Sequence, residues 1–176
     1  MVLLILVVVS LLGVGSAQIA LMGERGARND RDQQVSWQAA EAGLIDAELD
    51  LWNASSTRIS VFDGKTISAF PSVGCGNSGN AKGLCAAVTS GKPAWLTVDF
   101  TSSAQTTTFG MFTGRVFEAG GVGIQPAQAP RYIIEPISAK TGDESNPQQE
   151  ILYRVTAMGF GPRSDIQSVT QMLYRI

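Results

Sequence analysis

Polarity divides the chain before anything else does. Met1 to Met22 contains no charged side chain, and Val2–Leu12 is almost pure Val, Leu and Ile, interrupted only by Ser10. A helix over residues 1–22 is ~33 Å long at 1.5 Å per residue, enough to cross the hydrocarbon core of a bilayer. Behind it, with no Pro between, Glu24–Trp52 is polar yet keeps a helical period. Trp37, Ala40, Leu44, Ala47 and Leu51 recur at steps of three and four, which predicts one stripe packed on a sheet or on neighbouring helices. Asn53 follows as a plausible stop. The pattern therefore predicts one rod ~78 Å long, apolar all round in its first half and amphipathic in its second. Val is a mediocre helix former in water, but in lipid the backbone has no other partner and the helix forms anyway.

Beyond the rod the pattern becomes that of strands and turns. Arg58–Val61, Asp63-Gly64 and Lys65–Ala69 predict a small hairpin, because Asp-Gly favours a type I′ turn. Trp95–Phe100 and Gly114–Glu118 are candidate strands. Arg131–Ile137, Ile151–Phe160 and Ile166–Ile176 are better ones, joined by a polar loop at Ser138–Glu150 and a short one at Gly161–Asp165, as in an antiparallel meander. In the middle strand Ile151, Tyr153, Val155 and Ala157 share one face and Leu152, Arg154, Thr156 and Met158 the other, and one of the two should take the helix stripe containing Trp37 and Leu44. The expected class is α+β, a long N-terminal α-helix packed on a C-terminal antiparallel β-sheet. The expected division is 1–22 as the membrane half of the helix, 23–53 as the amphipathic half and 54–176 as a globular β-rich domain.

Composition narrows the chemistry. The 176 residues carry a formal net charge of −2, which gives no reason to expect nucleic acid as a partner. There is no His, so the commonest general base and metal ligand is missing. The two cysteines, Cys75 and Cys85, flank a glycine-rich loop. A structural disulfide in an oxidising compartment is the expected state, with two free thiols in a reducing cytosol as the alternative. Neither a zinc site nor a Cys-x-x-Cys redox pair fits. A cleaved signal peptide is a rival reading of the first segment, since Gly15-Ser16-Ala17 puts small residues before Gln18. Against it, the segment lacks a basic beginning and the helical pattern runs on past the cut.

Few constellations suggest chemistry. Asp46 and Asp50, one helical turn apart with Glu48 nearby, are read as a solvated helix face, or else as the seed of a cation site. Asp143 and Glu144 lie in a loop that offers carboxylates for calcium but lacks the spaced ligands of an EF-hand. Gly120–Gly123 lacks the context of a phosphate cradle. Ser90 and Lys92 are the only Ser and Lys pair to weigh as nucleophile and base, on spacing alone. No catalytic, metal or cofactor site is expected.

One ordered set of residues is more telling. Glu24-Arg25-x-Ala27-x-Asn29-x-Arg31-Asp32, then Trp37-Gln38-Ala39-Ala40-Glu41-Ala42, preceded by Leu12-Gly13-Val14, resembles the N-terminal signature of PilX-type minor pilins of type IV pili. Pro130-Arg131-Tyr132-Ile133-Ile134-Glu135 and Tyr153-Arg154-Val155-Thr156-Ala157-x-Gly159 look like that family's final strands. The resemblance spans about residues 1–53 and 130–160. It implies a type IV pilin-like fold and a structural subunit without enzymatic activity. It implies partners as well: other minor pilins, the major pilin, a large adhesin at the tip, and inner-membrane lipids before assembly. Prepilin peptidase would act on a basic leader ending in Gly. No such leader is seen, and alignment on Leu12-Gly13 sets Met1 a few residues inside the usual mature start. The acidic residue that major pilins carry near that start is not visible; without it, docking beneath another subunit is disfavoured and a place at the tip favoured.

On this reading Val2, Leu4, Val8, Leu11, Leu12 and Val14 form the helix assembly face, and Glu24, Arg25, Arg28, Arg31 and Asp32 set register. Arg25, Arg28 and Arg31 would meet acidic residues of neighbouring helices in preference to lipid phosphates. Trp37, Ala40, Leu44 and Leu51 join helix to sheet. The chain would wait in the inner membrane with its C-terminal domain in the periplasm, then enter the pilus to prime assembly and form the tip. Alternatives are a minor pseudopilin of type II secretion, a membrane-tethered periplasmic enzyme, and a membrane-anchored periplasmic binding module using the disulfide loop and Ser138–Glu150.

Overall fold

The structure, a computed structural model, describes residues 2–87, 90–141 and 148–176. One unbroken helix, α1 (Val2–Trp52), leads into the four-stranded antiparallel sheet β1 (Thr107–Thr108), β2 (Arg131–Thr141), β3 (Gln148–Phe160) and β4 (Gln167–Tyr174), in that spatial order. The α+β arrangement and the closing antiparallel meander are as the sequence predicts. β2 and β3 run further than their apolar residues do. Pairs from Ser138↔Ile151 to Thr141↔Gln148 continue the ladder, which needs only backbone groups. Residues 142–147, including Asp143 and Glu144, lie outside the described residues.

Side chains alternate across the sheet as the pleat requires. Tyr132, Ile134, Tyr153, Val155 and Ala157 turn to α1 and form one core with Ala47, Leu51, Phe62, Phe70 and Leu84. Ile133, on the other face, packs with Cys75, Cys85, Ala94 and Phe100. The middle of the chain thus covers the sheet face that the helix leaves open.

The helix approaches the sheet on small residues, with Ser36, Ala39, Ala40, Gly43 and Ala47 buried. A Cβ on Gly159 of β3 would fall 2.1 Å from the Ala40 nitrogen and 2.2 Å from the Ser36 carbonyl oxygen, so only Gly permits this approach. Gln33 Nε2 donates to Ser168 Oγ at 2.8 Å, and the Ser36 and Ser168 hydroxyls lie 2.7 Å apart.

Three expected elements are absent. Residues 58–69 form a 3₁₀ turn, Ile59–Val61, instead of a hairpin. Asp63 Oδ1 accepts from the backbone N–H of Lys65 and Thr66 at 2.9 and 2.8 Å, closing the chain locally without a ladder. Where the strand Trp95–Phe100 is expected, the 3₁₀ turn Ala94–Leu96 overlaps its start, and Gly114–Glu118 is irregular. The free edge of β2 goes to other segments. Thr107 and Thr108 pair with Tyr132 and Arg131, Cys85 N donates to the Ile134 carbonyl, and Ile134 N donates to the Gly83 carbonyl.

Candidate functional site

The first half of α1 packs against none of the described residues outside its own helix. Val2, Leu4, Val8, Leu11, Leu12 and Val14 are all exposed, and so are their described neighbours around the helix from Val2 to Val14. The structure therefore singles out no one assembly face; the entire apolar cylinder is uncovered. Among the register residues, Arg28 donates to Glu24 Oε1 at 2.5 Å and Arg31 to Asp32 Oδ1 at 2.8 Å. Both pairs lie at the helix surface and contribute little to stability. Arg25 has no carboxylate partner among the described residues.

The second half is bonded firmly to the domain. Ala40 and Leu51 are buried and Leu44 is half-buried against the core. Trp37 contradicts its expected place. It is 51 % exposed, and its indole Nε1 donates to Glu41 Oε1 at 2.7 Å. The physical reason is space, because backbone contact between Ser36–Ala40 and Gly159 leaves no room for an indole.

Asp46 and Asp50 overturn the solvated-face reading, for both are fully buried. Asp46 accepts from the Gly110 backbone N–H at 2.7 Å and from Thr113 Oγ1 at 2.6 Å, with Arg115 at 3.7 Å. Burial raises its pKa above the ordinary 3.8, against the opposing pull of the Thr113 and Gly110 hydrogen bonds. Asp50 takes donors from three places: Ser56 Oγ at 2.8 Å, Arg58 Nε at 2.8 Å and Tyr132 Oη at 2.9 Å. Arg58 Nη2 also donates to it. Burial, and then the negative charge of Asp50, push the Tyr132 phenol well above its usual range.

Arg58 links this knot to the disulfide loop. It is fully buried, and its Nη1 donates to the carbonyls of Lys82 and Asn80 at 2.6 and 3.1 Å. Its guanidinium lies 3.7 Å from the centre of the Phe112 ring. Cys75 and Cys85 are joined in a disulfide. The glycine at 83, with φ of +73°, passes so close to Thr107 that a Cβ would meet its Oγ1 at 2.1 Å. One chain of contacts therefore runs from the end of α1 through Asp50, Arg58 and the disulfide loop to β2. On the far face Glu135 joins in, accepting from Ala94 N at 2.8 Å and pairing with Arg154 at 3.1 Å.

The sequence reading missed Asp46, Asp50, Arg58 and Tyr132 as anchors. One signal was present: Ser36, Ala39, Ala40, Gly43, Ala47 and Leu51 define a stripe, and Asp46 and Asp50 fall on it. Among the described residues no group of three or more Cys, Asp or Glu side chains forms a metal cluster.

An exposed apolar helix continuous with an amphipathic one, laid on an antiparallel sheet, defines a pilin-like subunit. The chain belongs to the PilX family. Residues 81–176 match the family model for Type IV pilus assembly protein PilX C-term, and residues 1–44 match that for PilX N-terminal. No curated protein and no solved structure matches it. The family makes it a minor pilin of the type IV pilus, a structural component that works with other pilus components.

Proposed function

We propose that this minor pilin primes type IV pilus assembly and occupies the tip, or a place near it. Before assembly it waits in the inner membrane, with residues 1–22 in lipid, 23–53 as the amphipathic half of the helix, and 54–176 in the periplasm. Assembly exchanges one apolar environment for another. The first segment leaves acyl chains for a bundle of pilin helices, so its surface is never offered to water. Other minor pilins and the major pilin supply those helices, and a large adhesin is the cargo displayed beyond them.

One observation carries the reading: α1 is apolar and uncovered from Val2 to Val14, while its other end is fastened to the domain by Asp50 and Arg58. A helix held so firmly at one end transmits force between its bundle and its domain. The test is Val8→Asp or Leu11→Asp in the full chain. Piliation is expected to be lost while the Cys75–Cys85 disulfide and the domain's folding remain. Normal pili containing the variant would refute the packing step.

A further inference from the structure

The two edges of the sheet end differently. The outer edge of β2 is filled by Thr107 and Thr108 and by the bonds of Ile134 with Gly83 and Cys85. The outer edge of β4 has no backbone partner among the described residues. The ladder decides which groups it offers. Gly161 N donates to the Ile166 carbonyl at 2.8 Å, which makes these two a hydrogen-bonded pair at the head of β4. In an antiparallel ladder such pairs recur at every second residue. Ser168, Thr170 and Met172 therefore turn their backbone groups to β3, while Gln167, Val169, Gln171 and Leu173 turn theirs outward. Open edges are ordinarily blunted by Lys, Pro or a bulge. β4 reads Gln-Ser-Val-Thr-Gln-Met-Leu-Tyr, with no charge, Pro or Gly.

This edge runs beside one flank of α1. Ser168 bonds to Ser36, and Met172 and Tyr174 pack on the core beneath the helix. Val169, Gln171 and Leu173 thus point to the other face, where Val169 is 44 % and Leu173 64 % exposed. Burial, and then the charge of Glu48, raise the Tyr174 phenol above its usual 10.0, which places Glu48 beside the end of β4. From Ser36 to Glu48 the helix rises ~18 Å, and from Ser168 to Tyr174 the strand spans ~20 Å, so the two keep step. Trp37, Glu41, Leu44 and Glu48 stand on this flank, within ~60° of one another at ~100° per residue. After Arg31 the helix carries no Lys or Arg, so the flank is acidic as well as aromatic.

We propose that β4 accepts an extended segment of a different protein as a further antiparallel strand. Its backbone pairs with Gln167, Val169, Gln171 and Leu173. Its apolar residues, at alternate positions, lie beside Val169 and Leu173. Its intervening residues are Lys or Arg, which meet Glu41 and Glu48 and the exposed ring of Trp37. Backbone pairing supplies affinity in this mode, and the alternate side chains supply selectivity. Charge complementarity is what selects a basic strand. A second copy of β4 does not fit, because it has no basic side chain to offer. Two such edges paired antiparallel would also point their α1 helices in opposite directions, out of one shared bilayer. The surface belongs to the domain, so it is available whether or not the chain primes assembly.

The experiment uses the full-length chain in detergent and the peptide Lys-Val-Lys-Val-Lys-Val, capped at both ends. Its twin carries an N-methyl group on each Val, which keeps the charge and removes the donors that face β4. The first peptide is expected to slow amide exchange across β4, and the twin to bind at least about tenfold more weakly. Gln171→Pro removes an outward N–H that β3 does not use, so the thermal transition should persist while peptide affinity falls about tenfold. Val169→Pro is the second variant, should the first unfold. Glu41→Lys combined with Glu48→Lys should weaken binding about tenfold and leave the fold intact. Equal binding of the twin, or unchanged exchange in β4 at saturating peptide, overturns the proposal. So does a dimer, in the absence of peptide, that protects β4 and is dissociated by Gln171→Pro, since the edge would then belong to a second copy.

Discussion

The two halves of α1 are one helix built on opposite terms. From Val2 to Val14 every described side chain is apolar, small or Ser, and none is buried. From Ser36 to Leu51 the buried positions are mostly small, and two of them are aspartates. A long helix is marginal without support along its side. The first half must find that support outside the molecule, whereas the second finds it in Gly159, Ser168 and Arg58. Hydrophobicity therefore marks the half that stays open for partners. The half that is anchored in place is marked by small residues and buried charge.

The largest test of that contrast removes the anchor. Arg58→Ala leaves Asp50 buried with only Ser56 and Tyr132 as donors, and frees the carbonyls of Asn80 and Lys82. Breaking a buried ion pair on one side costs about 3–5 kcal/mol. Thermal unfolding of the detergent-solubilised chain should show a loss of that order. By contrast, Val8→Asp should leave the domain's transition unmoved while it abolishes piliation. If both variants unfold alike, the two halves are not independent.

Next comes the disulfide. Replacing Cys75 and Cys85 with Ser opens a loop whose ends are 10 residues apart in sequence, removing about 2–3 kcal/mol by loop-closure entropy. The loop also grips β2 through Cys85 and Ile134 and receives Arg58. A second-site Arg58→Ala should then cost less than it does alone, because the two act in one network. A double-mutant cycle on the unfolding free energies measures the coupling. Strict additivity would show that the loop and the ion pair hold the helix separately.

A smaller effect belongs to Asp46. Asp46 has its pKa raised by burial, so the folded state holds its proton more tightly than the unfolded chain does. The unfolded state therefore releases that proton first. The stability this group contributes is fully present below the unfolded value of 3.8 and is lost as pH rises through the higher folded value. Asp46→Asn should flatten that decline, measured as unfolding free energy against pH from 3 upward. An unchanged slope would mean that the Thr113 and Gly110 hydrogen bonds offset the burial.

How much of this was legible is clearest at particular residues. The period-two pattern of Tyr153, Val155 and Ala157 located β3 and grouped the side chains of each face, because alternation follows from the pleat alone, but it left open which face the helix takes. The run from Val2 to Met22 located the open half of α1. The hairpin at Asp63-Gly64 was misread because Asp63 uses its carboxylate to close the turn, a choice that local sequence leaves undecided. The anchor escaped for a different reason. Asp50 meets Tyr132 across 82 residues and Arg58 across 8, and no helical period reports a partner outside the helix.

Trp37 gives the smallest expected change and the sharpest one for the comparison. As a packed residue of the helix–sheet stripe, its truncation to Ala would cost about 3–5 kcal/mol. In the structure it stands half exposed on the outer side, bonded among the described residues only to Glu41 along its own helix. Trp37→Ala should then shift the unfolding free energy by no more than about 0.5 kcal/mol. Leu51→Ala serves as the control on the inner side. Leu51 is buried in the same core as Phe62 and Tyr153, and its loss should cost about 2–5 kcal/mol. Equal losses at the two positions would return Trp37 to the core. A loss at Leu51 alone leaves a large aromatic side chain that contributes nothing to its own domain, so that its apolar surface is available to another chain.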